Sequence, residues 1–337
     1  MVRFTSAAVS SFALGASALA APPYALPQPA AITKRWVGWE NIKNAFIFGD
    51  SYTQTGFDYT STQPSTANPL GNPTYPGWTS SNGPNWVGYL TFTYNASSLL
   101  TYNLAYGGAT VDSDLVAPYD VSVKSLKDQV ESEFIPGYTG SSAKATWTGD
   151  DSIFAVWIGI NDIGNSYYNG ADSTDVLDAQ IFDVMSDLMD QIYNAGGRNY
   201  VLINVPPLDR TPLIVPQGDW AVETSAANVA SWNQLVLDFA ATLKAKNDTN
   251  VWVYDSNTAF GEVIDDPTSH AETAGLKNTT DYCTAYENGT SDEDTYVASC
   301  GVPVNEYFWL NNLHPTSAIH AVVAKGVADL LTAGPNI

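Results

Sequence analysis

With 337 residues, 45% of them apolar and 12% aromatic, the chain has material for a substantial buried core, which excludes global disorder. Thirteen basic residues against 35 acidic ones give a formal charge of −22, and a surface of that sign repels nucleic acid and anionic lipid headgroups. Neither a nucleic-acid partner nor a membrane is therefore expected, and the balance suits a protein that meets neutral molecules in mildly acidic surroundings.

In chain order, residues 1–21 place Arg3 before the weakly apolar run FTSAAVSSFALGASALA and end in Ala18-Leu19-Ala20-Ala21, an A-x-A-type cleavage site. This reads as a secretory signal rather than a membrane span. Residues 22–35 are rich in Pro and Ala, lack acids and close on Lys34-Arg35, the pattern of a short propeptide cut at a dibasic site. The expected product begins at Trp36, is secreted to the extracellular space and is a monomer. Four N-x-S/T triplets, at Asn95, Asn247, Asn278 and Asn288, fit a glycosylated secreted protein. The two cysteines, Cys283 and Cys300, bracket a polar loop, and in an oxidising compartment they are expected to form one disulfide, worth about 3 kcal/mol on the chain-entropy model. Two cysteines and three scattered histidines offer no metal site.

Five short apolar, β-branched or aromatic runs read as buried parallel strands: residues 45–48, 101–104, 152–158, 200–205 and 251–254. Helical patterns lie between and after them. Within residues 222–243, Val229, Trp232, Val236, Phe239 and Leu243 recur at three- and four-residue steps, and residues 318–331 place Ile319, Val322, Val323, Val327, Leu330 and Leu331 on one face. Each parallel pair needs a crossover, so the alternation predicts one α/β domain over residues 36–337 with a doubly wound sheet. Three polar insertions, residues 58–85, 208–219 and 265–301, are expected to gather beyond the carboxyl ends of the strands, where ligands of such sheets sit.

The chemistry is carried by the strand ends. The first strand runs into Gly49-Asp50-Ser51-Tyr52-Thr53, where Gly49 permits a tight strand-to-helix turn and Ser51 is predicted to stand at or near a helix N-terminus. Unpaired N–H groups there favour a developing oxyanion; taken alone, FGDS is also an ordinary helix cap. The second strand is followed by Leu104-Ala105-Tyr106-Gly107-Gly108-Ala109-Thr110, whose paired glycines let backbone N–H groups approach a ligand. After the third comes Gly159-Ile160-Asn161-Asp162, in which Asn161 can offer an amide donor. A serine, a backbone N–H and an amide at neighbouring strand ends are what acyl transfer needs around a tetrahedral intermediate.

In these blocks the chain resembles the SGNH/GDSL hydrolases: Gly49-Asp50-Ser51, Gly108, Gly159–Asp162 and His314 stand in the family's order. The wording FGDSYT, NLAYGGATVD, WIGINDI and LHPTS is most similar to secreted fungal acetylesterases of carbohydrate esterase family 16. The resemblance implies a flavodoxin-like three-layer α/β/α fold with a five-stranded parallel sheet. It also implies a Ser51 nucleophile, an oxyanion hole of the Ser51 and Gly108 N–H groups and the Asn161 side chain, His314 as base, and no metal or organic cofactor. The substrate it implies is a small acetyl ester, such as acetyl groups on hemicellulose- or xylan-derived oligosaccharides. Two alternatives stand beside it: a lipase or phospholipase with longer acyl preference, and a catalytically silent carbohydrate-binding relative.

Two departures stand out. Tyr52 replaces the leucine of the name motif, a position read as packing at the start of the helix. More consequentially, Asn311 occupies the family's aspartate position three residues before His314. An amide oxygen can accept a hydrogen bond from the histidine but cannot stabilise imidazolium by charge. Either the Asn311 side chain or its backbone carbonyl is expected to orient the ring. His270 and His320 read as surface or helix residues. Among the aromatics near the site, Trp157 and Trp309 read as packing residues, Trp86 as the start of the next helix, and Trp78, in PTYPGWTSSNGPNW, as a sugar contact.

Overall fold

The computed structural model describes residues 36–337, so the expected signal, propeptide and Lys34-Arg35 cleavage site lie outside the described residues. Five strands form one all-parallel sheet: β1 Asn44–Gly49, β2 Leu100–Asn103, β3 Ser152–Trp157, β4 Asn199–Ile203 and β5 Asn250–Tyr254, in the order β2-β1-β3-β4-β5. Both faces of β1, β3, β4 and β5 are buried along their whole length. That is why these segments read as continuous apolar runs instead of alternating ones.

The helices are α1 Trp86–Phe92, α2 Leu126–Asp128, α3 Ile135–Tyr138, α4 Ile160–Gly164, α5 Ala171–Ala195, α6 Asp219–Lys244, α7 Ser256–Asp265 and α8 Ser317–Ala333. Helices α1, α7 and α8 pack together, α8 also touching β5; α5 and α6 pack with each other, α6 meeting β5 as well. The 25-residue α5 is the largest element the sequence reading did not single out. Among its buried positions, Ile181, Met185, Leu188, Met189 and Ile192 have helical spacing. Between them run many acids and small residues, which dilute the apolar signal.

The strand order sets the location of the site. The chain leaves β1 for β2 on one side and then crosses to β3 on the other, so β1 is the switch point where adjacent connections diverge and open a crevice. Neighbouring strands lie about 4.8 Å apart, so the loops after β2, β1 and β3 emerge side by side.

One local expectation fails. No helix follows β1: residues 50–53 make a single turn, with the Thr53 and Gln54 N–H groups both donating to the Asp50 carbonyl at 3.0 and 2.9 Å, and the next helix begins at Trp86. The carbonyls that would propagate a helix are taken by side chains. Asn85 Nδ2 donates to the carbonyls of Thr53 (2.9 Å) and Gln54 (2.8 Å), and Asn103 Nδ2 donates to Thr53 (2.7 Å). The Ser51 turn therefore offers N–H groups without a helix dipole behind them.

Candidate active site

Ser51 sits in this turn, 7% exposed. The strand end that carries it is gripped by Gln129, whose amide accepts from the Gly49 N–H at 2.9 Å and donates to the Gly49 carbonyl at 2.8 Å. Gln129 is fully buried and opens a π-helical stretch, Gln129–Phe134, between α2 and α3. Asp50 turns inward, accepts the Tyr52 N–H at 3.0 Å, and is pushed up to about 7 by burial. Asp162 behaves alike: it accepts the Val111 N–H at 3.0 Å, and burial raises it to about 7.

His314 arrives from the loop before α8. The segment folds back on itself: Trp309 and Pro315 pair as an antiparallel bridge, and the Leu310 N–H donates to the His314 carbonyl at 2.9 Å. At its tip the Asn311 Oδ1 accepts from the backbone N–H of Leu313 (3.1 Å) and of His314 (2.8 Å) and meets His314 Nδ1 at 3.0 Å. Because backbone N–H groups can only donate, the atom facing them must be the amide oxygen and not the nitrogen. An oxygen there obliges Nδ1 to carry the ring proton, which leaves Nε2 as an acceptor. Nε2 lies 2.8 Å from Ser51 Oγ, the geometry in which the hydroxyl donates to the ring. The Asn311 Nδ2 donates to the Glu287 carbonyl at 3.3 Å, inside the loop closed by the Cys283–Cys300 disulfide. Of the two candidate orienting groups, it is the side-chain oxygen that meets the ring.

Burial lowers His314 to about 4, and Asn311 supplies no charge to offset this. The second buried histidine lies within α8, in keeping with the helix reading of it, and faces the core. His320 is 2% exposed, lies edge-on to Tyr52 and Trp157 at 6.1 and 6.3 Å, and is held near 3 by burial and then by the charge of His314. The third, His270, pairs with Glu262 at 3.2 Å on the surface.

Gly108, at φ +82°, follows β2, and Asn161 lies in the first turn of α4 after β3. One amide hydrogen of Asn161 goes to the Ala109 carbonyl at 2.9 Å, which ties the two loops together and leaves the other free. Among the described residues, neither the Ser51 nor the Gly108 N–H is committed to an acceptor. Ser51, Gly108, Asn161 and His314 line one cavity of about 690 Å³.

Tyr52 does more than pack. Its ring is buried edge-on to His314 at 5.7 Å, and its hydroxyl donates to the Leu313 carbonyl at 2.6 Å, joining the serine turn to the histidine loop. Trp86, Trp157 and Trp309 are core residues, whereas Trp78 is 71% exposed on the cavity rim. Sequence reasoning also missed Lys124 and Glu133, which line the cavity; the signal available was the four-residue spacing of Gln129 and Glu133 ahead of a core aromatic.

Residues 46–327 match the family model described as GDSL-like Lipase/Acylhydrolase. The chain is 38% identical over 297 residues to an acetylesterase of Thermothelomyces thermophilus, covering 86% of this chain and 88% of the relative. It is 25% identical to an acetylesterase of Hypocrea jecorina (87% and 90% covered) and 28% identical to a phosphatidylcholine-sterol acyltransferase of Aeromonas hydrophila (85% and 89% covered). Among solved structures, an acetylxylan esterase from Geobacillus stearothermophilus aligns at 14% identity and a TM-score of 0.47, over 86% of this chain and 94% of that one. The chain belongs to the GDSL-like lipase/acylhydrolase family and is a carboxylic ester hydrolase.

Proposed function

We propose that the protein is a secreted acetylesterase that removes acetyl groups from hemicellulose-derived oligosaccharides through an acyl-enzyme. The observation that carries this reading is the unbroken chain from Ser51 Oγ to His314 Nε2 and from Nδ1 to the Asn311 oxygen. Ser51 Oγ attacks the ester carbonyl while its proton passes to Nε2. The oxyanion is met by the Ser51 and Gly108 N–H groups and the free amide hydrogen of Asn161. His314 returns the proton to the leaving alcohol; a water then attacks the acetyl-serine with the same histidine as base. Acetyl as the acyl group is supported by the two fungal relatives. Secretion and glycosylation are supported by the N-terminal pattern and by the positions of Asn95, Asn247, Asn278 and Asn288, all of them at least partly exposed.

Activity on 4-nitrophenyl esters tests the acyl class. The rate is expected to fall steeply between acetate and octanoate. A flat or rising series would favour the longer-chain reading for which the Aeromonas relative stands. NMR of acetylated xylo-oligosaccharides during deacetylation tests the carbohydrate and its regiochemistry together.

Tyr52 is a positioning residue in this scheme. Tyr52→Phe removes only the hydroxyl that holds the Leu313 carbonyl. It is expected to lower kcat roughly tenfold, the scale of a sub-ångström misplacement of the base, and to leave KM unchanged. An equal change in both constants would assign Tyr52 to packing alone.

A further inference from the structure

An acetyl group fills little of a cavity of about 690 Å³, and one wall carries groups that the proposed chemistry does not use. Glu133 is 5% exposed yet lines that cavity, presented by the π-helical stretch whose first residue grips Gly49. Such stretches recur at functional sites. Its carboxylate is paired with Lys124, whose side chain is 46% exposed and whose ammonium lies 5.7 Å from the centre of the Tyr106 ring. A carboxylate has about four lone-pair sites and an ammonium three donors, so the one contact between them leaves each with capacity to spare, and both side chains line the cavity.

The rim adds two exposed rings, each seated on a glycine. A Cβ on Gly56 would come within 2.6 Å of the Trp78 ring, and one on Gly108 within 2.3 Å of Tyr119, which is 80% exposed. Lys124 is the one cation among the cavity-lining residues, against the carboxyl groups of Asp58 and Glu133. A negatively charged ligand is disfavoured by that balance; a neutral molecule bearing several hydroxyls and an apolar ring face is matched by it.

We propose that Lys124 and Glu133 form a binding subsite for a neutral sugar, the leaving group of the ester, and thereby set the preference for carbohydrate acetates over simple ones. Sugar hydroxyls donate to the Glu133 carboxylate and accept from the Lys124 ammonium, while the rim rings meet the C–H face. The inference rests on the esterase reading above.

Kinetics of Glu133→Gln, which keeps shape and volume, are compared with wild type on acetylated xylo-oligosaccharides and on 4-nitrophenyl acetate. KM for the oligosaccharide is expected to rise about tenfold or more, the effect of losing a charge-assisted hydrogen bond. Both constants for nitrophenyl acetate are expected to stay within about twofold, as for contacts outside a binding hot spot. Lys124→Met, at a half-exposed position, gives the same readout should Glu133→Gln fold poorly. Equal losses on both substrates, or an unchanged KM for the oligosaccharide, overturn the subsite. Wild type that cleaves nitrophenyl acetate but ignores the oligosaccharide overturns it while the esterase reading stands; inertness towards both overturns the esterase reading and this one with it.

Discussion

Alanine at Ser51 or at His314 is expected to lower kcat on 4-nitrophenyl acetate by about 10⁶, and the double variant is expected to lose no more than either single one, as for residues that act as a unit. The reason is the single hydrogen bond of 2.8 Å between them. A serine hydroxyl is a weak nucleophile without a base, and the base has no other proton to take, so removing either partner removes the same event. Some turnover above water should survive, because the Ser51 and Gly108 N–H groups and Asn161 are left in place. The measurement is steady-state kinetics beside thermal unfolding, which should shift little because both side chains face a cavity. If the losses multiply in the double variant, the two residues act in separate steps and the proposed pairing is wrong.

The second large effect concerns Asn311. Its oxygen holds the ring proton on Nδ1, so Asn311→Ala frees the ring to take the other tautomer, and a wrong tautomer has cost about 10⁴ in a serine protease. A loss of about 10³–10⁴ in kcat is expected. The change also strips an acceptor from two backbone N–H groups, worth roughly 1–3 kcal/mol of stability if they stay buried. Asn311→Asp keeps those bonds and adds a charge. In the native protein burial holds His314 near 4, so the neutral, competent base persists as pH falls and kcat/KM declines only through about pH 4. A carboxylate at 3 Å favours the imidazolium and raises that value by about 1–3 units. The acid limb of the variant should therefore move upward, to between about pH 5 and 7, while the plateau rate rises because the imidazolium formed on attack is now compensated. A pH–rate profile decides it; an unmoved acid limb would mean that His314 is not the titrating base.

The strand ends were legible because their physics is local. A strand buried on both faces is a continuous apolar run, and Gly-Asp-Ser, Gly-Gly and Gly-Ile-Asn-Asp each punctuate one. The reading failed where a distant side chain decides. Nothing near Ser51 in sequence announces that Asn85 and Asn103 will take the carbonyls of Thr53 and Gln54 and stop a helix. His320 was legible as a helix residue, but its burial against Tyr52 and Trp157 was not, because those rings come from distant parts of the chain. Asn311 was ambiguous because an amide and a carbonyl can serve the same ring, and only the two backbone donors at its oxygen separate them. Tyr52 looked like an ordinary core aromatic, since a hydroxyl's partner across the fold leaves no trace in sequence spacing.

The serine and its base are 263 residues apart, and the Tyr52–Leu313 bond that joins their loops spans 261. Contacts of such separation carry the largest loop-closure cost and are made only once the intervening sheet exists to reward them. During synthesis the nucleophile turn emerges early and stays inert until α8 docks beside α1 and delivers the histidine. Hydrolytic activity is thus a report on the completed fold: a chain nicked or stalled before that closure holds the whole serine turn and no catalyst.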